Sequence, residues 1–173
     1  MTAWQKGVVL AVVQVTIVAS LAGKLWYDRA TCPRVWALTA PYDPSLPIRG
    51  RYVSLQVVVE LRDVPSPELH APLQDRPAVT LAREDDRLVA RPNPDAHGYD
   101  PSALHVVQSG TRRGIGLSVL DQPVAFFIPE HIPDPSVLSR DEELWVEVTI
   151  PKKGPPRPIR LGKKTHNGPI VPL

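Results

Sequence analysis

An uninterrupted apolar run dominates the start of the chain. The 17 residues from Gly7 to Gly23, GVVLAVVQVTIVASLAG, carry no charge. At about 1.5 Å per residue, a helix of this length covers roughly 26 Å, and ~17–25 residues suffice to cross a bilayer. Aromatic residues flank the run as in the interfacial belts of spanning helices, with Trp4 before it and Trp26 and Tyr27 after it. The pattern predicts a transmembrane anchor, with its flanks, over residues 1–27.

Other interpretations of this segment remain open. A signal peptide cleaved after Ala22 fits the short basic start at Lys6 and would make the chain a secreted binding protein. The run is longer than the usual ~7–15-residue apolar region of such peptides, which favours an uncleaved anchor. A buried core helix fits poorly, because the run is apolar all round.

The charges beside the run do not decide which side of the membrane holds the rest of the chain. Lys6 and the amino terminus lie on one side, and Lys24, Arg29 and Arg34 lie on the other. Counted literally, the positive-inside rule favours a cytoplasmic C-terminal domain. Long translocated domains override such local charges, so the charges alone leave both orientations open.

Downstream of the run, apolar and polar residues alternate with period two, which predicts half-buried strands. The clearest case is residues 50–61, in which five residues share one face: Val53, Leu55, Val57, Val59 and Leu61. The other predicted strands are 34–39, a hairpin of 78–83 and 87–91 around residues 84–86, a pair 104–108 and 115–120, an apolar segment 124–128, then 144–150 and 159–161. Strands at this spacing predict a mainly β fold, a small barrel or a sandwich-like domain.

The proline and cysteine contents restrict the secondary structure and the covalent or metal sites that the chain can form. The chain has 21 prolines among 173 residues, and each one fixes φ and removes a backbone donor. Long helices after residue 30 are therefore not expected. Cys32 is the single cysteine, which excludes an internal disulfide and a zinc site built from cysteines.

Charge divides the chain into three parts. Residues 1–23 carry +1, residues 24–150 carry −5 and residues 151–173 carry +6, which sum to the net +2. We therefore expect a β-rich domain over 28–150 and a basic, proline-rich tail over 151–173. The tail is interpreted as a solvated, loose end, or as a segment that binds an anionic surface. It has no aromatic residue to interleave with its cations, so nucleic-acid binding is not expected.

The chain shows no recognisable catalytic or cofactor motif, so we expect a non-enzymatic protein without a cofactor or metal. The five histidines have no i, i+4 partner of metal-site type: His70, His97, His105, His131 and His166. The Glu130-His131 pair and the segment 97–100 are interpreted as exposed loop residues. The alternative is a membrane-anchored Ser/Lys-type hydrolase with Ser45 as nucleophile, but no lysine lies between Lys24 and Lys152 to serve as its base.

Residues 43–58, DPSLPIRGRYVSLQVV, resemble the GDYXXLXY family of bacterial membrane-anchored proteins. That family begins with a hydrophobic anchor, a short strand and a D-P-x-x-L-x-R-G-D-Y-x-x-L-x-Y segment. Six residues match this segment: Asp43, Pro44, Arg49, Gly50, Tyr52 and Leu55. The later FFIPE segment resembles the family's aromatic-aromatic-x-x-Glu strand end through Phe126, Phe127 and Glu130. LWVEV, residues 144–148, falls where the family has its last alternating strand.

Two departures from the family pattern matter for this resemblance. Arg51 stands where the family has its aspartate, and Gln56-Val57 stands where a tyrosine closes the motif. The resemblance implies no established activity. It implies a domain outside the cytoplasm, in the periplasm of a Gram-negative source, anchored in the inner membrane. It also implies a multi-span membrane protein as partner. From the residues alone, the motif positions have a structural explanation, since Gly50 before a strand is typical of a turn.

Overall fold

The computed structural model describes residues 2–41, 52–68, 72–96, 100–109, 116–128, 135, 138–139, 141–165 and 168–173. The chain forms two compact units, Met1–Cys32 and Pro33–Leu173. Residues 42–51 and 129–134, on which much of the motif prediction falls, lie outside the described residues.

The first unit is a single helix, α1, from Ala3 to Thr31. It begins with a capping box, because the Thr2 hydroxyl accepts from the Gln5 backbone N–H at 3.4 Å and the Thr2 N–H donates to Gln5 Oε1 at 2.8 Å. None of its residues is buried. Among the described residues it is the one helix long and apolar enough to cross a membrane. It extends four residues beyond the predicted anchor, to the cap at Cys32.

The second unit is built almost entirely of strands, which confirms the predicted mainly β fold. The described strands are β1 Arg34–Pro41, β2 Tyr52–Val57, β3 Glu60–Leu61, β4 Ala78–Glu84, β5 Arg87–Pro92, β6 Leu104–Ser109, β7 Leu117–Leu120, β8 Val124–Phe127, β9 Glu142–Thr149, β10 Arg157–Thr165 and β11 Ile170–Pro172. They form a six-stranded sheet in the order β11-β10-β9-β1-β2-β8 and a five-stranded sheet in the order β3-β5-β4-β6-β7. The result is a sandwich-like domain.

The six-stranded sheet is antiparallel throughout its described pairs. At its centre, β1 pairs with β9 from Arg34 opposite Thr149 to Leu38 opposite Trp145. A β-bulge in β10 shifts its register to β9 between Pro158 and Arg160. The bulge lies beside proline, which cannot donate a ladder hydrogen bond.

The predicted strand 50–61 divides between the two sheets. Its first part is β2, and its last two residues form β3, which runs parallel to β5. Between them, the Val58 N–H donates to the Leu38 carbonyl at 2.9 Å, while the next N–H, of Val59, donates to the Ser118 carbonyl at 2.9 Å. The chain therefore changes sheets within two residues, although Val53, Leu55, Val57 and Val59 all stay buried as predicted.

One apolar core fills the space between the sheets. The inward residues of β2 and β9 meet there those of β5 and β6, and its fully buried members include Val57, Val106, Leu120, Val146 and Val148. Both predicted pairs of strands are present: β4 with β5, and β6 with β7, are antiparallel neighbours.

The prediction of a loose tail over 151–173 is wrong, whereas the short strand predicted over 159–161 is confirmed as part of a longer one. Residues 157–165 form β10, which pairs with β9 on one side and with β11 on the other. Leu161 belongs to the buried core. The segment is held because its backbone hydrogen bonds are made in the sheet and because Leu161 points into the core, whereas Arg160 is exposed.

Candidate functional site

The described motif residues meet on two neighbouring strands. Tyr52 and Leu55 lie on β2, and Phe126 and Phe127 lie on β8. β2 and β8 pair antiparallel with Tyr52 opposite Phe127 and Val53 opposite Phe126. Two segments about 70 residues apart in the chain therefore lie side by side, and β8 is an edge strand of the six-stranded sheet.

The alternation of the strands gives these residues different environments. Leu55 is buried in the core and Phe126 packs against it, so both have structural roles. Phe127 is 69% exposed, and Tyr52 opposite it is half-buried. Directly opposed residues of an antiparallel pair share a face, so Tyr52 and Phe127 lie at opposed positions on the outer face; we call these two residues the aromatic pair. The sequence predicted 124–128 as apolar throughout; its outward residues Ala125 and Phe127 are solvent-exposed.

Several predicted site residues lie outside the described part of the chain. They are the motif residues Asp43, Pro44, Arg49, Gly50 and Glu130, the candidate nucleophile Ser45, and His70, His97, His131 and His166. The assignments made to them stay predictions. The described residues contain no group of three or more His, Cys, Asp or Glu side chains placed to hold a metal ion.

His105 is buried beside Asp121 in the second sheet. Its backbone N–H donates to Asp121 Oδ1 at 3.2 Å, and its Nδ1 lies 3.7 Å from Asp121 Oδ2. The Asp121 N–H donates in return to the His105 carbonyl at 3.0 Å. These contacts tie the turn after β7 to β6, which is a structural role for the pair.

A tryptophan-lined groove was missed by the sequence analysis. Trp36 of β1 and Trp145 of β9 line an open groove of about 410 Å³. Its lining also includes Glu60 and residues 85–88 at the turn of the β4–β5 hairpin. Both indoles lie at outward positions of alternating strands, between buried neighbours. A tryptophan at an outward position of an alternating strand is the sequence feature from which this groove could have been predicted.

Each indole carries a cation over its ring. The Arg160 guanidinium lies 5.3 Å from the centre of a Trp36 ring, and the Lys164 ammonium lies 5.1 Å from that of Trp145. Arg160 Nε also donates to Glu147 Oε2 at 2.6 Å, and Glu147 is only 8% exposed. The Arg160 guanidinium therefore pairs with a carboxylate that is largely removed from solvent. Arg160 and Lys164 therefore both have partners within this face of the sheet.

A second cavity, of about 630 Å³, lies along β4. Its lining includes Lys152 and Lys153 together with Asp95 and Asp100. The Ser102 hydroxyl donates to Asp100 Oδ1 at 2.7 Å and the Ser102 N–H donates to it at 2.8 Å. These two bonds lower the pKa of Asp100 below its ordinary value. The cavity therefore carries charges of both signs.

The helix presents the residues predicted to mark the membrane interface. Trp4, Trp26 and Tyr27 are all exposed, near the two ends of the apolar run. Two hydroxyls within the run donate to carbonyls of the helix itself, at 2.8 Å for Thr16 to Val12 and 2.8 Å for Ser20 to Ile17. In lipid every polar group needs such an internal partner.

Comparisons with family models, curated proteins and solved structures found no match to this chain.

Proposed function

We propose that this protein is a single-pass, membrane-anchored domain that binds a membrane or envelope protein and catalyses no reaction. The observation that carries the proposal is helix α1, Ala3–Thr31. It is 29 residues long, and none of its residues is buried. An exposed apolar surface of this size is stable in lipid and costly in water, since each buried CH₂ contributes about 0.8 kcal/mol. Its length and the aromatic residues near its ends support a span rather than a cleaved signal.

The contact surface that we propose is the aromatic pair Tyr52 and Phe127. Phe127 contributes little to the core of the domain, because most of its side chain faces solvent. Aromatic residues are over-represented among the side chains that dominate protein interfaces. The resemblance to a membrane-anchored family involves the same two strands, and it supports a periplasmic or extracellular domain held in a bacterial inner membrane, with a multi-span protein as partner.

The anchor is tested by fractionation and by mass. The full chain is expected in the carbonate-washed membrane fraction with an intact N-terminus. A mature chain that begins near Gly23, in the soluble fraction, would contradict the anchor and support a secreted binding protein. Deletion of residues 1–27 is expected to release the domain from the membrane.

The partner is tested by crosslinking in membranes followed by solubilisation and capture, with the full chain and the chain lacking residues 1–27. We expect a specific membrane protein with the full chain. If neither chain recovers one, the binding proposal fails.

The contact surface is tested by Phe127→Ala against Val171→Ala. Val171 is a matched control because it is also apolar and is 58% exposed, on β11. Loss of an aromatic contact at the centre of an interface costs about 2 kcal/mol or more, so we expect partner recovery to fall at least tenfold with Phe127→Ala. Val171→Ala should leave recovery unchanged. Equal recovery with both variants would exclude the β2–β8 surface, and unchanged thermal unfolding shows that both variants fold.

A further inference from the structure

The first residue of the domain is hydrogen-bonded to the end of β9. Pro33 follows Cys32, which caps α1, and the Pro33 carbonyl accepts from the Ile150 N–H at 2.9 Å. The chain thus enters the domain next to Ile150. Pro33 directly follows the residue that caps α1 and is hydrogen-bonded to Ile150. The residues just after Ile150 therefore stay near the point where the chain leaves the helix, whatever the arrangement of the two units.

Two exposed lysines lie in the turn that follows Ile150. The turn, residues 151–155, joins β9 to β10, and Lys152 and Lys153 are both exposed. Gly154 has φ +88°, a conformation that favours glycine. Pro155 and the buried Pro156 follow, and each proline has a fixed φ. The backbone on the C-terminal side of the two lysines is therefore restricted.

Two cations farther along β10, Lys163 and Lys164, have partners on the sheet. Lys163 Nζ is 3.5 Å from Glu142 Oε2, and Lys164 lies over Trp145. Lys164 is opposite Glu143, seven residues along β9 from Ile150. At about 3.3 Å per residue this is roughly 23 Å, more than twice the ~10 Å over which salt screens charges.

We propose that Lys152 and Lys153 form a lipid-docking turn that binds the anionic headgroups of the membrane holding α1. This inference rests on the proposed anchor. From Tyr27, at the predicted interface, to Thr31 the helix rises only about 6 Å, so Pro33 leaves the bilayer at headgroup level. Each lysine near an anionic leaflet shifts the equilibrium by roughly fivefold. Weak contacts suffice here, because the anchor makes the docking intramolecular.

The test uses the full chain in nanodiscs of phosphatidylcholine alone or with one third phosphatidylglycerol. Acylation of each lysine by an N-hydroxysuccinimide ester is measured by mass spectrometry. We expect Lys152 and Lys153 to react about three- to tenfold more slowly with the anionic lipid, and this protection to disappear at high salt. Lys163 and Lys164 are the internal control and should react equally in both lipids.

A second measurement separates binding from mere proximity to a charged surface. A dye on Ser66→Cys, in a Cys32→Ser background, reports the orientational freedom of the domain by its anisotropy decay. The anionic lipid is expected to restrict the dye, and Lys152→Gln/Lys153→Gln to restore its freedom. The matched pair Lys163→Gln/Lys164→Gln should stay restricted.

Three outcomes would overturn the lipid-docking turn. They are equal acylation in both lipids, equal slowing of both lysine pairs, and a dye that stays restricted by the anionic lipid after Lys152→Gln/Lys153→Gln. Failure of the chain to stay in nanodiscs would contradict the anchor itself. Retention without protection would contradict the docking turn alone.

Discussion

Gly162 shows how one residue shapes the outer face of the six-stranded sheet. It lies on β10, where the Trp36 ring crosses the strand and Ile170 packs from β11. A Cβ atom at this position would lie 2.7 Å from Ile170 Cγ2 and 3.0 Å from Trp36 Cζ3. Both distances are shorter than ordinary van der Waals contact. The glycine therefore makes room for the indole that carries Arg160 over its ring.

We expect Gly162→Ala to lower the free energy of unfolding by about 1–3 kcal/mol, the usual cost of overpacking. Trp36 and Ile170 must both move to admit the methyl group, so the Trp36 fluorescence should change as well. Urea unfolding followed by fluorescence measures both effects. Gly168→Ala is the control, because its added Cβ would meet Thr165 only at an ordinary 3.6 Å. Equal stability of the two variants would contradict the close packing.

At the scale of an element, the β4–β5 hairpin is defined by its turn. Glu84 pairs with Arg87, which leaves Asp85 and Asp86 as a two-residue loop. Both aspartates have positive φ, 46° and 60°. Two positive φ values in a two-residue loop are the geometry that Asn-Gly adopts with least strain. The aspartates hold this turn at some cost, because non-glycine residues rarely adopt positive φ.

Asp85→Asn/Asp86→Gly is expected to stabilise the domain by about 0.5–1 kcal/mol, the scale of relieving such backbone strain. Asp86→Val is expected to destabilise it, because a β-branched residue is an outlier at positive φ. Thermal unfolding of the full chain in detergent compares the three proteins. A lower melting temperature for the Asn-Gly variant would show that the turn is not of this type, or that the Asp86 contact with Arg83 outweighs it.

At the scale of the whole molecule, the C-terminal segment completes the domain. β10 lies between β9 and β11, and Leu161 packs among the core residues. Without β10, the sheet would end at β9 with an unpaired edge. The +6 charge of residues 151–173 therefore belongs to the structural strand β10 and to the turn that precedes it.

A chain that ends at Pro155 is expected to lose cooperative unfolding, because it exposes one edge of β9 and removes Leu161. A chain that ends at Pro169 keeps β10 and loses only β11, whose Val171 and Pro172 are exposed. We expect it to fold with a loss of about 1–2 kcal/mol, comparable with one or two hydrogen bonds and an apolar contact. Circular dichroism on heating separates the two chains. Cooperative melting of the shorter chain would show that the segment is dispensable.

The sequence alone predicted the features that depend on local pattern. The helix follows from an apolar run long enough to span lipid, and the strands follow from period-two burial, as at Val53, Leu55 and Val57. The hairpin at Asp85-Asp86 follows from two short alternating runs with a polar turn between them. These features are readable because the physical cause of each lies within a few consecutive residues.

Only the tertiary structure decided which strands pair and which distant side chains their pairing places next to each other. Alternation reports which residues face the core and not which neighbour a strand bonds to, so the change of sheet at Val58 left no trace in the pattern. In the same way, the sequence predicted only residues 159–161 of β10, because the full length of that strand and its place in the sheet depend on β9 rather than on its own composition. The pairing of Tyr52 with Phe127, and of the Trp36 ring with Arg160, joins residues far apart in the chain, and such contacts exist only once the sheet has formed.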